Sequence, residues 1–184
     1  LTKRAIDQAK LAEVNYIAAV ALMKNKEYVA AIKEFQAAMK RYSRAKLSPD
    51  AMNFINANMA LCYANSGNKE DLAQAEKYLI LLTTKVYKDN KWAYNIAIAN
   101  SLVGNQDEAA SLLSSIIRKD EFNFQAYVTL EAIYRNSGNE NEADKVLERM
   151  NTAEDKLTNK NQEVTENNSG TKAKKEKTQK EFVP

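Results

Sequence analysis

The chain has 184 residues, 45% apolar and 28% charged, with four glycines and two prolines. This is enough apolar material for a core and too little turn-forming material for a sheet-rich fold, so long helices with short punctuation are expected. The 27 basic and 24 acidic residues leave a net charge of +3 spread along the chain, not the one-sided basic face of a nucleic-acid binder, so no nucleic-acid partner is expected. No histidine occurs and Cys62 is the only cysteine, which excludes Ser-His and Cys-His dyads, histidine-ligated metals and an intrachain disulfide.

Residues Leu1 to Lys10 are helix formers with no stop signal, either lengthening the first helix or standing as the remnant of an earlier repeat. From Leu11 to Asn25, Ala18, Ala19, Leu22 and Met23 follow helical spacing, and after Lys26-Glu27-Tyr28 a second helix is marked by Ala31, Ile32, Phe35, Ala38 and Met39. A connection then ends in Ser48-Pro49-Asp50, with Ser48 as a helix cap and Pro49 at the first helical position. The next helix carries Met59, Ala60 and Tyr63 and stops at Gly67. Three extra polar residues are expected in the following turn, before Leu72, Ala75, Leu79 and Leu82 resume the pattern.

The stretch Trp92 to Met150 says nearly the same thing twice. Gly104 is followed five residues later by Ala109 and nine later by Leu113, and Gly138 likewise by Ala143 and Leu147, an offset of 34 residues. Each glycine closes a helix through a left-handed residue, and each alanine allows the next helix to approach closely. Asn100 replaces the aromatic seen as Tyr63 and Tyr134, and Glu131 replaces the small residue seen as Ala60 and Ala97; small Ala132 beside Glu131 suggests that the carboxylate is displaced to solvent.

These residues resemble the tetratricopeptide repeat family, whose period is 34 residues. Ala19, Leu22, Ala31 and Phe35 take the corresponding places in the first unit, with Lys26 where glycine is usual. The resemblance implies an all-α, right-handed helical-hairpin solenoid of about four units, at about 11–44, 49–86, 90–120 and 123–152. Residues 1–10 precede the repeats as an extension, and residues 153–184, rich in Asn, Lys, Thr and Glu, are expected to form a disordered polar tail. Phe182-Val183-Pro184 is a minor candidate for a binding motif there, and Asn167-Asn168-Ser169 a weak glycosylation sequon.

In that family the first helix of each unit lines a concave groove holding a partner peptide or helix. The resemblance places there Tyr16, Val20 and Met23; Ala57, Leu61 and Ala64; Tyr94, Ile98 and Ser101; and Val128, Ala132 and Arg135. It also supplies a carboxylate clamp in one subgroup. Only Asn58 and Lys91 match that clamp, while Tyr16, Val20 and Asn95 depart from it. Asp107, Glu108, Glu140 and Glu142 are explained as favourable charges at helix N-termini. With no phosphate loop, cysteine pair or activated nucleophile, the expectation is a non-enzymatic scaffold without cofactor or metal, binding a protein or peptide and assisting assembly of a complex. The alternative is a regulatory helical module of a larger enzyme with its catalytic domain upstream. General likeness gives a bacterial origin as the expectation. No apolar run is long enough to span a bilayer. The start at Leu1 leaves room for an upstream signal or lipid anchor, so the compartment, cytoplasmic or periplasmic, stays open, as does the oligomeric state.

Overall fold

The computed structural model describes the backbone of residues 3–45, 49–82 and 90–180 and the side chains of 3–44, 52–82 and 92–162. Those residues form eight α-helices and no strand: α1 (Lys3–Lys24), α2 (Tyr28–Ala45), α3 (Pro49–Ser66), α4 (Lys69–Ile80), α5 (Asn90–Leu102), α6 (Gln106–Lys119), α7 (Phe124–Asn136) and α8 (Glu140–Lys180). The fold is all-α. Pro49 opens α3, where its missing amide costs no helical hydrogen bond; Ser48 lies outside the described residues.

The helices pack in sequence-adjacent pairs, α1 on α2, α3 on α4, α5 on α6 and α7 on α8. The second helix of each pair also touches the first helix of the next, and α3 packs against α5. Fully buried alanines recur at the crossings: Ala19, Ala31, Ala60, Ala75, Ala97, Ala109 and Ala143. A larger side chain at these points would force the axes apart, so they are where overpacking would be felt.

Each pair is joined by the same tight turn. Lys26, Gly67, Gly104 and Gly138 have φ of 64°, 76°, 95° and 75°. In three of the turns the amide after the left-handed residue reaches back to the helix: Glu27 N to Leu22 O, Asn105 N to Asn100 O and Asn139 N to Tyr134 O, at 2.8–2.9 Å. The left-handed residue itself donates to Met23, Ser101 and Arg135 respectively, completing the Schellman pattern that satisfies the last carbonyls. Lys26 adopts the glycine conformation although it carries a side chain.

The extra residues expected in the α3–α4 turn are not there. Helix α4 begins two residues after Gly67, as α6 begins two after Gly104, with Asn68 capping it by accepting from Asp71 N at 2.9 Å. Leu72 N donates to Asn68 O as Ala109 N donates to Asn105 O, so Leu72 holds the turn position taken elsewhere by alanine. Counted from the turn, the added length falls after α4. A good N-cap starts the helix at once and leaves no loop to absorb residues.

Two core clusters result. One gathers Ala19, Phe35, Ile55, Met59 and Cys62 between α1, α2 and α3, and the other runs from α3 to α8 through Ile96, Leu113, Ile116 and Leu130. Tyr63 and Tyr78 pack against both, their rings stacked at 5.7 Å with 12° between planes. Leu147, expected at a packed position like Leu113, is more than one-third exposed on α8, whereas Leu113 is fully buried.

The last helix runs on into the segment expected as a polar tail. Helix α8 continues unbroken to Lys180. The segment after Met150 is too polar for a core, but its Glu, Lys, Gln and Ala are good helix formers and its only proline is Pro184. Ala153, placed in the tail by composition, is 2% exposed, and Lys156 Nζ pairs with Glu121 at 2.8 Å, so the start of that segment is held to the α6–α7 connection. The side chains of the Asn167 sequon and residues 181–184 with Phe182 lie outside those described.

Candidate functional site

The first helices of the first three pairs bring their side chains to one cleft of about 330 Å³. Tyr16, Ile17, Val20, Met23 and Lys24 come from α1, Asn58 from α3, and Trp92 and Asn95 from α5. The spacing on α1 explains the wall: residues three and four apart share a helix face, so Tyr16, Val20 and Met23 line up along it. Tyr16 packs against Phe35 with ring centroids 5.9 Å apart, and Trp92 stacks on Phe54 at 4.7 Å, so both aromatic walls are backed by rings beneath them.

A polar line crosses the cleft. Asn58 Nδ2 donates to Tyr16 Oη at 3.4 Å, and Asn95 Nδ2 donates to Asn58 Oδ1 at 3.2 Å. Asn58 is 1% exposed, and a buried amide requires such partners. Burial pushes the Tyr16 hydroxyl above its ordinary pKa, partly offset by the hydrogen bond from Asn58. The hydroxyl therefore stays protonated and neutral at physiological pH. On the next pair, Tyr94 Oη and Thr129 Oγ1 are 2.8 Å apart, linking α5 to α7.

A register counted from the turns accounts for this line. Ile17, Asn58, Asn95 and Thr129 each stand nine residues before Lys26, Gly67, Gly104 and Gly138, while Tyr16, Ala57, Tyr94 and Val128 stand ten before. A tyrosine at the tenth place bonds the polar residue at the ninth place of the following pair, as Tyr16–Asn58 and Tyr94–Thr129 do. Ala57 has no such group, so Asn95 bonds Asn58 instead.

Of the residues expected at the groove, Tyr16, Val20, Met23, Asn58 and Asn95 line the cleft. Leu61 and Tyr94 are half-buried against the larger core, Ile98 is half-buried, and Ala57 and Ala64 are buried. The side chain of Lys91 lies outside those described. Arg135 is drawn elsewhere: Nε pairs with Glu131, Nη1 with Glu140 and Nη2 with Asp144 at 3.1 Å, tying α7 to α8. Its pKa is raised by these hydrogen bonds, Glu131 first. Glu131 is not displaced to solvent, since its side chain is 24% exposed with Arg135 as its counter-ion, while Ala132 is the exposed neighbour.

Ile17, Lys24 and Trp92 are cleft residues missed by reading the row at i, i+4 and i+7. The signal for Ile17 was its place in the same turn-counted column as Asn58 and Asn95, and for Trp92 its place three residues before Asn95 on the same helix face. Asn100, which breaks the aromatic pattern, is buried and locally satisfied: Nδ2 donates to Ile96 O at 3.0 Å and Oδ1 accepts from Asn105 Nδ2 at 3.2 Å, pinning the α5–α6 turn.

A larger hollow of about 520 Å³ has as its described lining Arg4, Ala5 and Gln8 from α1 and Arg44 from α2, a mostly polar set. Cys62 is fully buried and burial pushes its thiol up to about 12, which makes it a small core hydrophobe and a poor nucleophile. Among the described residues no cluster of Cys, Asp and Glu has metal-holding geometry, and no helix is long and apolar enough to cross a membrane. No protein-family model, curated protein or solved structure matches the chain.

Proposed function

We propose that the chain is a tetratricopeptide-like, right-handed solenoid of four helical hairpins that acts as a non-enzymatic scaffold, holding a segment of a partner protein in the cleft and helping to assemble a complex. The observation that carries this reading is the convergence of α1, α3 and α5 on the cleft, with apolar walls from Tyr16, Val20, Met23 and Trp92 and amides from Asn58 and Asn95. Mostly apolar walls with a few placed polar groups suit a peptide or helix that inserts an apolar side chain and fixes its backbone by hydrogen bonds. Lys24 at the rim favours an acidic residue beside that anchor. The recurring left-handed turns and buried alanines support the solenoid reading, because they repeat the same hairpin geometry along the chain.

The test is retention of co-purifying proteins, identified by mass spectrometry, on the wild type and on Val20→Glu and Lys24→Glu. Binding through the cleft predicts weakening by roughly tenfold or more for Val20→Glu, the scale of a lost anchor. Unchanged retention by both well-folded variants would sink the reading.

A further inference from the structure

A recess separate from the cleft opens where α6, α7 and α8 meet, with a volume of about 320 Å³. Its described lining carries Arg118 in the last turn of α6, Glu121 in the α6–α7 connection, Tyr127 on α7, and Arg149 and Lys156 on α8. The α8 side follows from sequence spacing. Lys145, Arg149, Thr152, Lys156 and Lys160 stand at i, i+4, i+7, i+11 and i+15, one face of a helix, whereas Glu148, Glu154 and Asp155 fall outside it. Along this face, from Lys145 to Lys160, every charge is positive.

The three cations of the recess converge without being neutralised. Lys156 Nζ meets Glu121 at 2.8 Å, but the two side chains are 57% and 49% exposed, and an ion pair so placed is weak enough to exchange for a better partner. Among the described residues, Arg118 and Arg149 have no carboxylate within ion-pair distance. The dipole of α6 favours a cation in its last turn, which accounts for Arg118 by itself but not for its meeting two more cations from α8. Arg149 is held in place: its guanidinium lies over the ring of buried Tyr127, 5.9 Å from the centroid. A guanidinium supported on a fixed ring loses less freedom when it takes a ligand. Three cations against the one carboxylate of Glu121 leave two positive charges in excess in the described lining.

We propose that this recess binds a phosphate monoester, with Arg118 and Arg149 donating to its oxygens and Lys156 turning from Glu121 to meet it. A dianion balances the two excess charges, where a single carboxylate would leave one, and the guanidinium fork matches phosphate oxygens in pairs. The site is independent of what occupies the cleft. The group arrives on a phosphorylated side chain of a partner or on a small phosphorylated molecule, and both present the same oxygens.

The test is a titration of the full chain at constant ionic strength and about pH 7.5, where a monoester is dianionic, followed by backbone amide resonances. The probes are acetylated and amidated phosphoserine, inorganic phosphate, and dimethyl phosphate as a monoanionic diester. Both dianions are expected to shift resonances centred on residues 117–121 and 149–156, and the diester to bind severalfold more weakly. Tighter binding of phosphoserine identifies a partner's side chain as the source, and equal or weaker binding a small molecule; either upholds the site. Arg118→Gln and Arg149→Gln should each weaken binding roughly tenfold, the scale of one charge-assisted hydrogen bond, and their spectra also report whether the fold is kept. Lys145→Gln, on the same face but outside the recess, should change little. Absence of shifts at millimolar dianion, equal affinity for the diester, or a loss on Lys145→Gln as large as on the arginine variants overturns the proposal, the last by showing general attraction to a basic face.

Discussion

Asn95 donates its side-chain amide to the side-chain carbonyl of Asn58 across α5 and α3, and Asn58 passes its own amide on to the Tyr16 hydroxyl. One buried residue thus serves as both acceptor and donor between three helices. Removing it leaves two groups without their partner at once. Asn58→Ala is expected to lower stability by about 1–3 kcal/mol and Asn95→Ala by less, since Asn95 is only half-buried. A double-mutant cycle in urea should show non-additivity, and strictly additive losses would mean that the pair is not coupled.

The four turns set up an internal comparison. Lys26 holds a left-handed φ of 64° that costs a side-chain-bearing residue roughly 1–2 kcal/mol more than glycine. After the greater entropy lost by glycine on folding, Lys26→Gly is expected to stabilise by about 0.5–1 kcal/mol, and Gly104→Ala to destabilise by about 1 kcal/mol. An alanine Cβ at Gly104 meets nothing within 4 Å, so any loss there reports backbone conformation alone. Denaturant midpoints decide, and a neutral result at both positions would contradict the shared turn geometry.

High pH should unfold the chain partly through Cys62. The thiol ionises near pH 8.5 in the unfolded chain, whereas burial holds it protonated up to about 12 in the fold. Its contribution to stability is therefore intact below about pH 8.5 and is lost as pH rises above that, with a slope approaching 1.4 kcal/mol per pH unit. Burial raises the Tyr16, Tyr63 and Tyr78 hydroxyls in the same direction, which steepens the loss at higher pH. Comparing the pH slope of urea midpoints for wild type and Cys62→Ala isolates the thiol: the variant should be flatter, and an equal slope would refute the assignment.

Truncation separates the two parts of α8. Deleting residues from Asn151 onward removes buried Ala153 and the Lys156–Glu121 pair, and is expected to lower the thermal midpoint by about 2–4 °C. Deletion beginning at 163 leaves those contacts in place and should lower the midpoint less. Calorimetry on both truncations checks this, and equal effects would show that Ala153 and Lys156 contribute nothing.

Much of the helical framework could be read from residues whose role is local. A glycine five residues before an alanine fixes a turn and a close crossing, so Gly104–Ala109 and Gly138–Ala143 marked both, and the same positions showed that Lys26 stands in for glycine. The α3–α4 turn was misread because Ala75 was aligned by residue type, whereas the Asn68 cap sets the helix start and puts Leu72 in that register. Of the five expected groove residues that meet in the cleft, Tyr16, Val20 and Met23 follow from one face of α1 by helical periodicity alone. Ile17 and Trp92 are legible only when positions are counted back from the turns and along the α5 face, and a row spaced i, i+4 and i+7 passes over both. Arg135 was misplaced for a similar reason: Glu140 and Asp144, which draw it off, belong to the following helix.

The chain contains one tryptophan, and it lies in the cleft, stacked on Phe54. Its emission therefore comes from a single site. A ligand that displaces water from that wall should shift the fluorescence spectrum of the unlabelled protein, so occupancy can be titrated by light alone. Any segment offered to the cleft can be screened in this way before its source is known.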